Sequence, residues 1–303
     1  MQRSALSPTI EVALAITFWA LSFVFIKIAL REMAPLTLIM LRYAIGIGVL
    51  GLTIVLRGEQ RRFKRSDFWP MFWLGLVVVV VQQLLQVQGQ VTADASVAAF
   101  LAACAPAFIV LLAALFLREP VAPWQWLGVL LATFGAMWVA GGGDWQAVLR
   151  GRLATPGNGL VLLSAVVWGI YSILSRKLLI GRPAVLLTAG MFAFGWLILL
   201  PVFLWQRGWQ ELPGISPQGW LAVLLVGVLS TALTYLLYGH ALQQAPASRL
   251  ASIQTIEPLI ATLAAILILG EKPTMALWLG GLAIMAGIYL AEWQPIRPGI
   301  RPQ

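Results

Sequence analysis

The sequence predicts an all-α polytopic membrane protein with ten transmembrane helices in two inverted five-helix repeats. Three observations predict it. Of 303 residues, 60% are hydrophobic and only 10% are charged, too little charge to cover a soluble surface of that size. Apolar runs of about 20 residues recur along the chain, each long enough to cross a ~30 Å hydrocarbon core. The chain also repeats itself: Ala95–Gly141 and Ala247–Trp293, slid by 152 residues without a gap, match at 14 of 47 positions. Shared Leu and Ala carry little weight in apolar segments. The paired Ala95/Ala247, Ser96/Ser248, Pro106/Pro258, Glu119/Glu271, Gly128/Gly280 and Gly135/Gly287 carry more, because they punctuate both copies in one register.

Breakers and charges divide the chain into helices at roughly 9–30, 35–56, 68–90, 95–117, 123–140, 157–176, 183–205, 217–240, 248–269 and 275–292. Pro35, Pro123, Pro156, Pro183, Pro217 and Pro273 stand at or near helix starts, where a missing N–H costs little. The N-terminal run leads into a span too long for a signal peptide and is expected to stay as the first helix. Ten spans leave no room for a soluble domain. The longest connection, 141–156, divides the chain into repeats 1–150 and 151–303. The duplication continues outside the opening pair: FWALSFVFIK in span one and VWGIYSILSRK in span six share a central Trp and a basic end. Five is odd, so the second repeat enters the membrane from the opposite side, as in secondary transporters.

The net charge of +9 could suggest nucleic acid, but in so apolar a chain the basic residues read as orientation signals, and no nucleic-acid partner is expected. With the N-terminus in the cytoplasm, inner loops and tails hold 13 Lys/Arg and outer loops five, and the RGEQRRFKR run at 57–65 dominates the count. Both termini are therefore expected to be cytoplasmic. Cys104 is the only cysteine and His240 the only histidine, which removes disulfides and multi-His metal sites, so neither metal nor cofactor is expected. Eleven of 14 Trp fall near predicted helix ends, as an interfacial belt does, while Trp19, Trp168 and Trp196 sit near helix centres.

The chain resembles the drug/metabolite transporter superfamily, specifically its ten-helix EamA-type members. The resemblance rests on WALSFVFIK in the first helix, Arg42 in the second, and the twice-used AS…P…(L/G)E…G…G unit, with Glu257-Pro258 followed by Leu269–Glu271 in the second copy. It covers roughly residues 10–292 and implies a bacterial inner-membrane exporter of small organic metabolites, often amino acids, with its cavity between the repeats. Drugs, other organic metabolites and nucleotide sugars are carried elsewhere in the superfamily and remain alternatives, so the resemblance implies the machine and not the cargo.

Polar side chains in hydrocarbon are expensive, about 2.5–3.5 kcal/mol for a central charge on insertion scales, so they mark cavities or partners. Span three carries Gln82, Gln83, Gln86, Gln88 and Gln90; the i, i+4, i+8 spacing of Gln82, Gln86 and Gln90 predicts one face, with Gln83 beside it. At the matched offset, span eight carries Tyr235 and Tyr238, with Thr231 and Thr234 nearby. Together with Trp19, Ser22, Trp168 and Tyr171, these predict a substrate cavity of amides, hydroxyls and aromatic faces, suited to an amphipathic or zwitterionic solute. It has no basic cluster for a phosphorylated sugar. Glu257 is read as the one carboxylate well inside a span, a proton or ammonium site or an anchor for a helix kinked at Pro258; Ala105 occupies the matched place. Arg42 is expected to snorkel outward or pair with Asp94, in a structural role, and Lys27 to be interfacial. Glu119 and Glu271 are expected to cap spans five and ten, and Pro106 and Pro258 to shape their helices. Gly128, Gly135, Gly280, Gly281 and Gly287 predict close packing, against each other or in a homodimer. The expected partners are thus a small-molecule substrate, the bilayer and a second copy of the chain. GGGD at Gly141–Asp144 matches intramembrane aspartyl proteases, but a second membrane Asp is missing, and no phosphate-binding G-x-x-x-x-G-K-[ST] is present.

Overall fold

The computed structural model describes residues 7–56, 64–178, 184–242 and 253–293; these are helical, with no strand among them. The ten helices are α1 (Pro8–Ala29), α2 (Pro35–Leu56), α3 (Arg65–Thr92), α4 (Ala95–Leu117), α5 (Pro123–Ala140), α6 (Pro156–Leu178), α7 (Ala184–Trp205), α8 (217–242), α9 (Glu257–Leu269) and α10 (Met275–Glu292). Eight of them are long and apolar enough to cross a membrane; α5 and the described part of α9 complete the set. This is a multi-pass membrane protein. The predicted start of span nine, 248–252, lies outside the described residues, as does 57–63 of the basic run.

Starts follow local chemistry. Ser7, Ser216 and Thr274 precede α1, α8 and α10, and their hydroxyls accept the N–H of Ile10, Gly219 and Leu277; Pro8 and Pro217 fill the first helical position. A hydroxyl cap with proline behind it satisfies or removes the donors a helix start leaves over.

The duplication is written into the backbone. α4 breaks at Ala103–Cys104, and the chain turns again at Thr255–Ile256, 152 residues on, just ahead of α9; helix resumes at Ala105 and Glu257 with Pro106 and Pro258 in the first turns. Both end in a widened π-helical turn, Ala113–Leu117 and Ala265–Leu269, followed by a left-handed residue, Arg118 at φ 54° and Gly270 at φ 70°. A second pair of π turns, Leu76–Gln82 and Val226–Leu233, interrupts α3 and α8. Span four is thus two half-helices, and the described part of span nine, 253–269, is interrupted at the matching place. The missing N–H of Pro explains why the break falls just before it.

α5 and α10 pack antiparallel along their whole length, joining the repeats. A Cβ on Gly128 would collide with the backbone of Gly287 and Ala291, and one on Gly135 would lie 2.6 Å from the Gly280 carbonyl. Gly281 receives the ring of Phe100. The close glycine packing is therefore made within the chain. Cys104, at the α4 break, is 1% exposed and packs against the carbonyls of Phe100 and Ala132.

One end of the bundle, where α1 and α3 finish and α4 and α10 begin, is laced by polar contacts. Lys27 Nζ donates to the carbonyls of Gln90 (2.9 Å), Val91 (3.4 Å) and Ala93 (2.7 Å), closing the C-terminus of α3. Lys27 is therefore a helix cap rather than a merely interfacial cation. Glu271 accepts from Ala95 N (2.7 Å), Ser96 N (3.1 Å) and the Ser96 hydroxyl (2.6 Å). This corrects the expected cap on span ten: Glu271 caps α4 across the repeat boundary, while Thr274 caps α10. The geometry requires it, since a residue four positions ahead of a helix cannot reach its first N–H groups as directly as Thr274 does. At the start of α5, Gln125 Oε1 accepts the Ala122 N–H. Glu32 accepts from the backbone N–H (2.7 Å) and hydroxyl (2.7 Å) of Ser216, and these bonds hold its carboxyl below the usual range. Asp94, at the N-cap position of α4, is shifted upward by burial and by the neighbouring Glu271 charge, with Lys27 opposing.

Candidate functional site

A cavity of about 210 Å³ lies between the repeats, reached by the middles of α1, α2, α3, α6 and α8, by both helix breaks, and by the C-terminal end of α10. It is small for a pocket, below the roughly 300–1,000 Å³ typical of drug-sized ligands. Trp19, Ser22, Gln82, Gln83, Gln86, Trp168, Tyr235 and Glu257 line it, and so do Arg42, Pro106 and Pro258.

Arg42 is the correction of most consequence. It neither snorkels outward nor meets Asp94, whose cationic neighbour is Lys27. It is 6% exposed, donates from Nη1 to Gln83 Oε1 (2.8 Å) and from Nε to the Thr231 hydroxyl (3.1 Å), and its guanidinium carbon lies 5.4 Å from the Tyr43 ring centroid. Two hydrogen bonds to a charged group contribute about 1.5–3 kcal/mol each, enough to offset the about 2.5–3.5 kcal/mol of placing an Arg at membrane depth. Inward is therefore affordable. The π turn of α8 helps supply the acceptor: Thr231 falls inside it, and its hydroxyl also donates to Val226 O, five residues back.

The glutamines form a relay beneath that guanidinium. Gln83 Nε2 donates to Gln82 Oε1 (2.7 Å) and Gln86 Oε1 (3.3 Å), and Gln82 Nε2 donates to Gln86 Oε1 (2.9 Å). Gln90 is not among them. It is fully buried, and its side-chain amide has no hydrogen-bond partner among the described residues. Each i+4 step overshoots a 3.6-residue turn by about 40°, so two steps carry Gln90 about 80° off the face of Gln82.

Trp19 is the hub of the aromatic wall, with ring centroids 6.4 Å from Trp168, 5.8 Å from Tyr235 and 5.5 Å from Tyr238. Tyr238 stands behind Trp19 rather than in the cavity lining. Tyr171 is also set back: it packs 5.2 Å from Trp168 and points its hydroxyl at Met191 Sδ. Tyr235 connects through Phe192 to Tyr43, at 5.1 and 4.9 Å. Trp196 serves the scaffold, donating to Met40 O.

Glu257 begins α9 just after the turn at 255–256, where a carboxylate meets the positive end of the peptide dipoles. Ala105 holds the equivalent position in α4, and no acidic residue stands in that first turn. The two breaks therefore present opposite electrostatic faces to one cavity. Sequence reading passed over Glu292, which lines the cavity from the last residue of α10, and Ser164 and Ser230. It also passed over Glu11, which is 2% exposed inside α1 and pairs with His240 Nδ1 at 2.8 Å. A carboxylate in the first turn of a span and a lone His near the end of another were the available signals. Asp144 caps the short helix Trp145–Leu149, taking the Ala147 N–H, an architectural use of the GGGD segment.

The comparisons with known proteins agree with this architecture. The EamA-like transporter family matches residues 9–141 and again 155–293. An uncharacterized transporter of Archaeoglobus fulgidus is 29% identical over 282 residues, 93% of this chain and 97% of the relative. The uncharacterized transporter YdfC of Bacillus subtilis is 27% identical, covering 95% and 92%. A probable terminal-alkyne amino-acid exporter of Streptantibioticus cattleyicolor is 28% identical, covering 91% and 90%. A solved crystal structure superposes with a TM-score of 0.64 over 94% of this chain and 96% of its own at 19% identity, a likeness of fold. Two family-length matches placed end to end over a duplicated ten-helix bundle leave one conclusion: the chain belongs to the EamA-like transporter family.

Proposed function

We propose that this protein is an alternating-access carrier that exports small zwitterionic or amphipathic metabolites, amino acids among them, across a bacterial inner membrane, with both termini in the cytoplasm. The observation that carries the reading is Arg42, a buried cation held in the cavity wall by Gln83 and Thr231 while Glu257 and Glu292 line the same cavity. A solute with one carboxylate and one ammonium meets a partner for each, and Trp19, Trp168 and Tyr235 offer faces for an apolar or cationic side chain. A single guanidinium suits a carboxylate better than the several charges of a nucleotide sugar. The small volume favours a metabolite over a drug-sized molecule. The exporter from Streptantibioticus cattleyicolor supports the amino-acid reading by analogy.

The laced end formed by Lys27, Glu271 and Glu32 lies on the side that the basic-residue count assigns to the exterior. The cavity reaches Glu292 at the other end. That combination supports a state closed outward, with the two broken helices as moving parts. The test is a thermal-shift screen of the purified protein against amino acids and related metabolites, followed by counterflow in proteoliposomes. A carrier shows saturation and trans-stimulation; linear, unsaturable flux would instead identify a channel. Gln86→Ala and Tyr235→Ala should weaken binding of the ligand found. If both bind every transported solute as the parent does while folded, the cavity is not the site. Glu257→Gln separates coupling from transport: counterflow retained with pH-driven accumulation lost assigns the proton to Glu257.

A further inference from the structure

A second concavity shares no lining residue with the first. It is a groove of about 690 Å³ between the N-terminal part of α3 and the middle of α7. Gly190 and Ala193 of α7 lie in its lining and add little bulk, and the rings of Phe68 and Phe194, packed edge to face with centroids 4.8 Å apart, line it as one aromatic surface. Trp69, 61% exposed, stands at the rim. At the mouth are Lys64 and Arg65, both exposed, and no acidic residue among the described residues lines the groove. The nearby Asp67 carboxylate is 5% exposed and accepts the Lys64 backbone N–H at 3.0 Å.

An apolar slot with two cations at one end matches an amphiphile with an anionic head. From this charge complementarity we infer that the groove binds an acidic diacyl phospholipid, its phosphate on Lys64 and Arg65 and an acyl chain along Phe68, Phe194 and Ala193. Zwitterionic lipid fills the same slot without the ionic contribution, so the signature is headgroup preference rather than lipid contact as such. Two juxtamembrane cations correspond to a preference of about 30-fold.

The test uses the full-length protein in phosphatidylcholine nanodiscs or mixed micelles, titrated with phosphatidylglycerol, read by thermal shift and by lipid retained in native mass spectrometry. The parent should retain phosphatidylglycerol at roughly 30-fold lower concentration than added phosphatidylcholine, and gain thermal stability from it. Lys64→Gln with Arg65→Gln should reduce that preference to about onefold, and Ala193→Trp, which fills the groove, should lower retention of both lipids. Equal retention of the two lipids by the parent overturns the inference, as does an undiminished preference in the double charge variant or unchanged retention of both lipids in Ala193→Trp. So does an equal shift with glycerol phosphate alone, which would make this an anion site without a chain. Should the double variant misfold, a photoactivatable phosphatidylglycerol on the parent decides: labelling within 64–72 or 190–197 that phosphatidylglycerol competes away and phosphatidylcholine does not supports the site, and labelling elsewhere refutes it.

Discussion

The contact most open to a decisive perturbation is the Glu271 cap on α4. Its carboxylate takes three donors, Ala95 N at 2.7 Å, Ser96 N at 3.1 Å and the Ser96 hydroxyl at 2.6 Å. Charged hydrogen bonds contribute about 1.5–3 kcal/mol each when buried, but this carboxylate is only partly buried. Removal of a helix cap, usually about 1 kcal/mol and up to about 2, sets the lower scale. A figure near 2 kcal/mol is consistent with both, and it corresponds to about 30-fold in an equilibrium. If the contact exists only while this end of the bundle is closed, Glu271→Ala shifts the open-to-closed ratio by about that factor. The assay places a single cysteine at Ser22 in a Cys104→Ser background and follows its labelling by a membrane-impermeant maleimide from the Glu271 side. The labelling rate should rise about 30-fold, with Glu271→Gln intermediate because it keeps one acceptor and replaces the other with a clashing N–H pair. An unchanged rate in a folded Glu271→Ala protein would refute the cap as a state-dependent contact.

Three further outcomes follow from the geometry. Arg42→Leu should weaken substrate binding more than tenfold by calorimetry, and Arg42→Lys should restore little, because a single ammonium cannot reproduce the divergent bonds to Gln83 and Thr231. Gly128→Val or Gly287→Val pushes a side chain into facing backbone; overpacking costs about 1–3 kcal/mol, seen as a lowered Tm, whereas Gly48→Ala, with open space around it, should leave Tm nearly unchanged. The Glu32 carboxyl is lowered by its Ser216 bonds, so its stabilisation is fully present above its unfolded value near 4.5 and is lost as pH falls through the lower folded value. The Tm difference between the parent and Glu32→Gln should therefore be constant from pH 7 to 5 and shrink below pH 4.5; a difference that grows on acidification would contradict the assignment.

Helix number, helix order and the duplication were legible because a bilayer demands long apolar runs and because Pro, Gly and Glu recur in one register. The breaks at Ala103 and Thr255 were only half legible. Pro106 and Pro258 announced irregularity, but a proline permits a kink as well as a full stop, and nothing local distinguishes them. The π turns left no residue signature, since any apolar stretch can adopt one when neighbouring helices require it. Arg42 was placed by depth alone; its true partner depends on a hydroxyl 189 positions away, brought close by a π turn that no local pattern encodes. Glu271 offered a clue that went unread: the echo matched Ser96/Ser248 together with Glu119/Glu271, the two ends of one contact. Tyr171 and Tyr238 lay on the right helices but the wrong side of Trp168 and Trp19, a question of rotation about an axis that periodicity fixes only coarsely.

The cap that Glu271 makes on α4 also bears on the order in which the chain is made. Residue 96 enters the membrane long before residue 271 leaves the ribosome, so the first turn of α4 must wait, its donors met by water or lipid headgroups, until the end of α9 arrives. The α5 glycine face waits likewise for α10, whose Gly280 and Gly287 it receives. The first five helices are thus an unfinished object with one open seam and one unsealed end, and the last forty residues close both. Truncation there should leave a protein that inserts but does not persist, and a separately synthesised second half should rescue it.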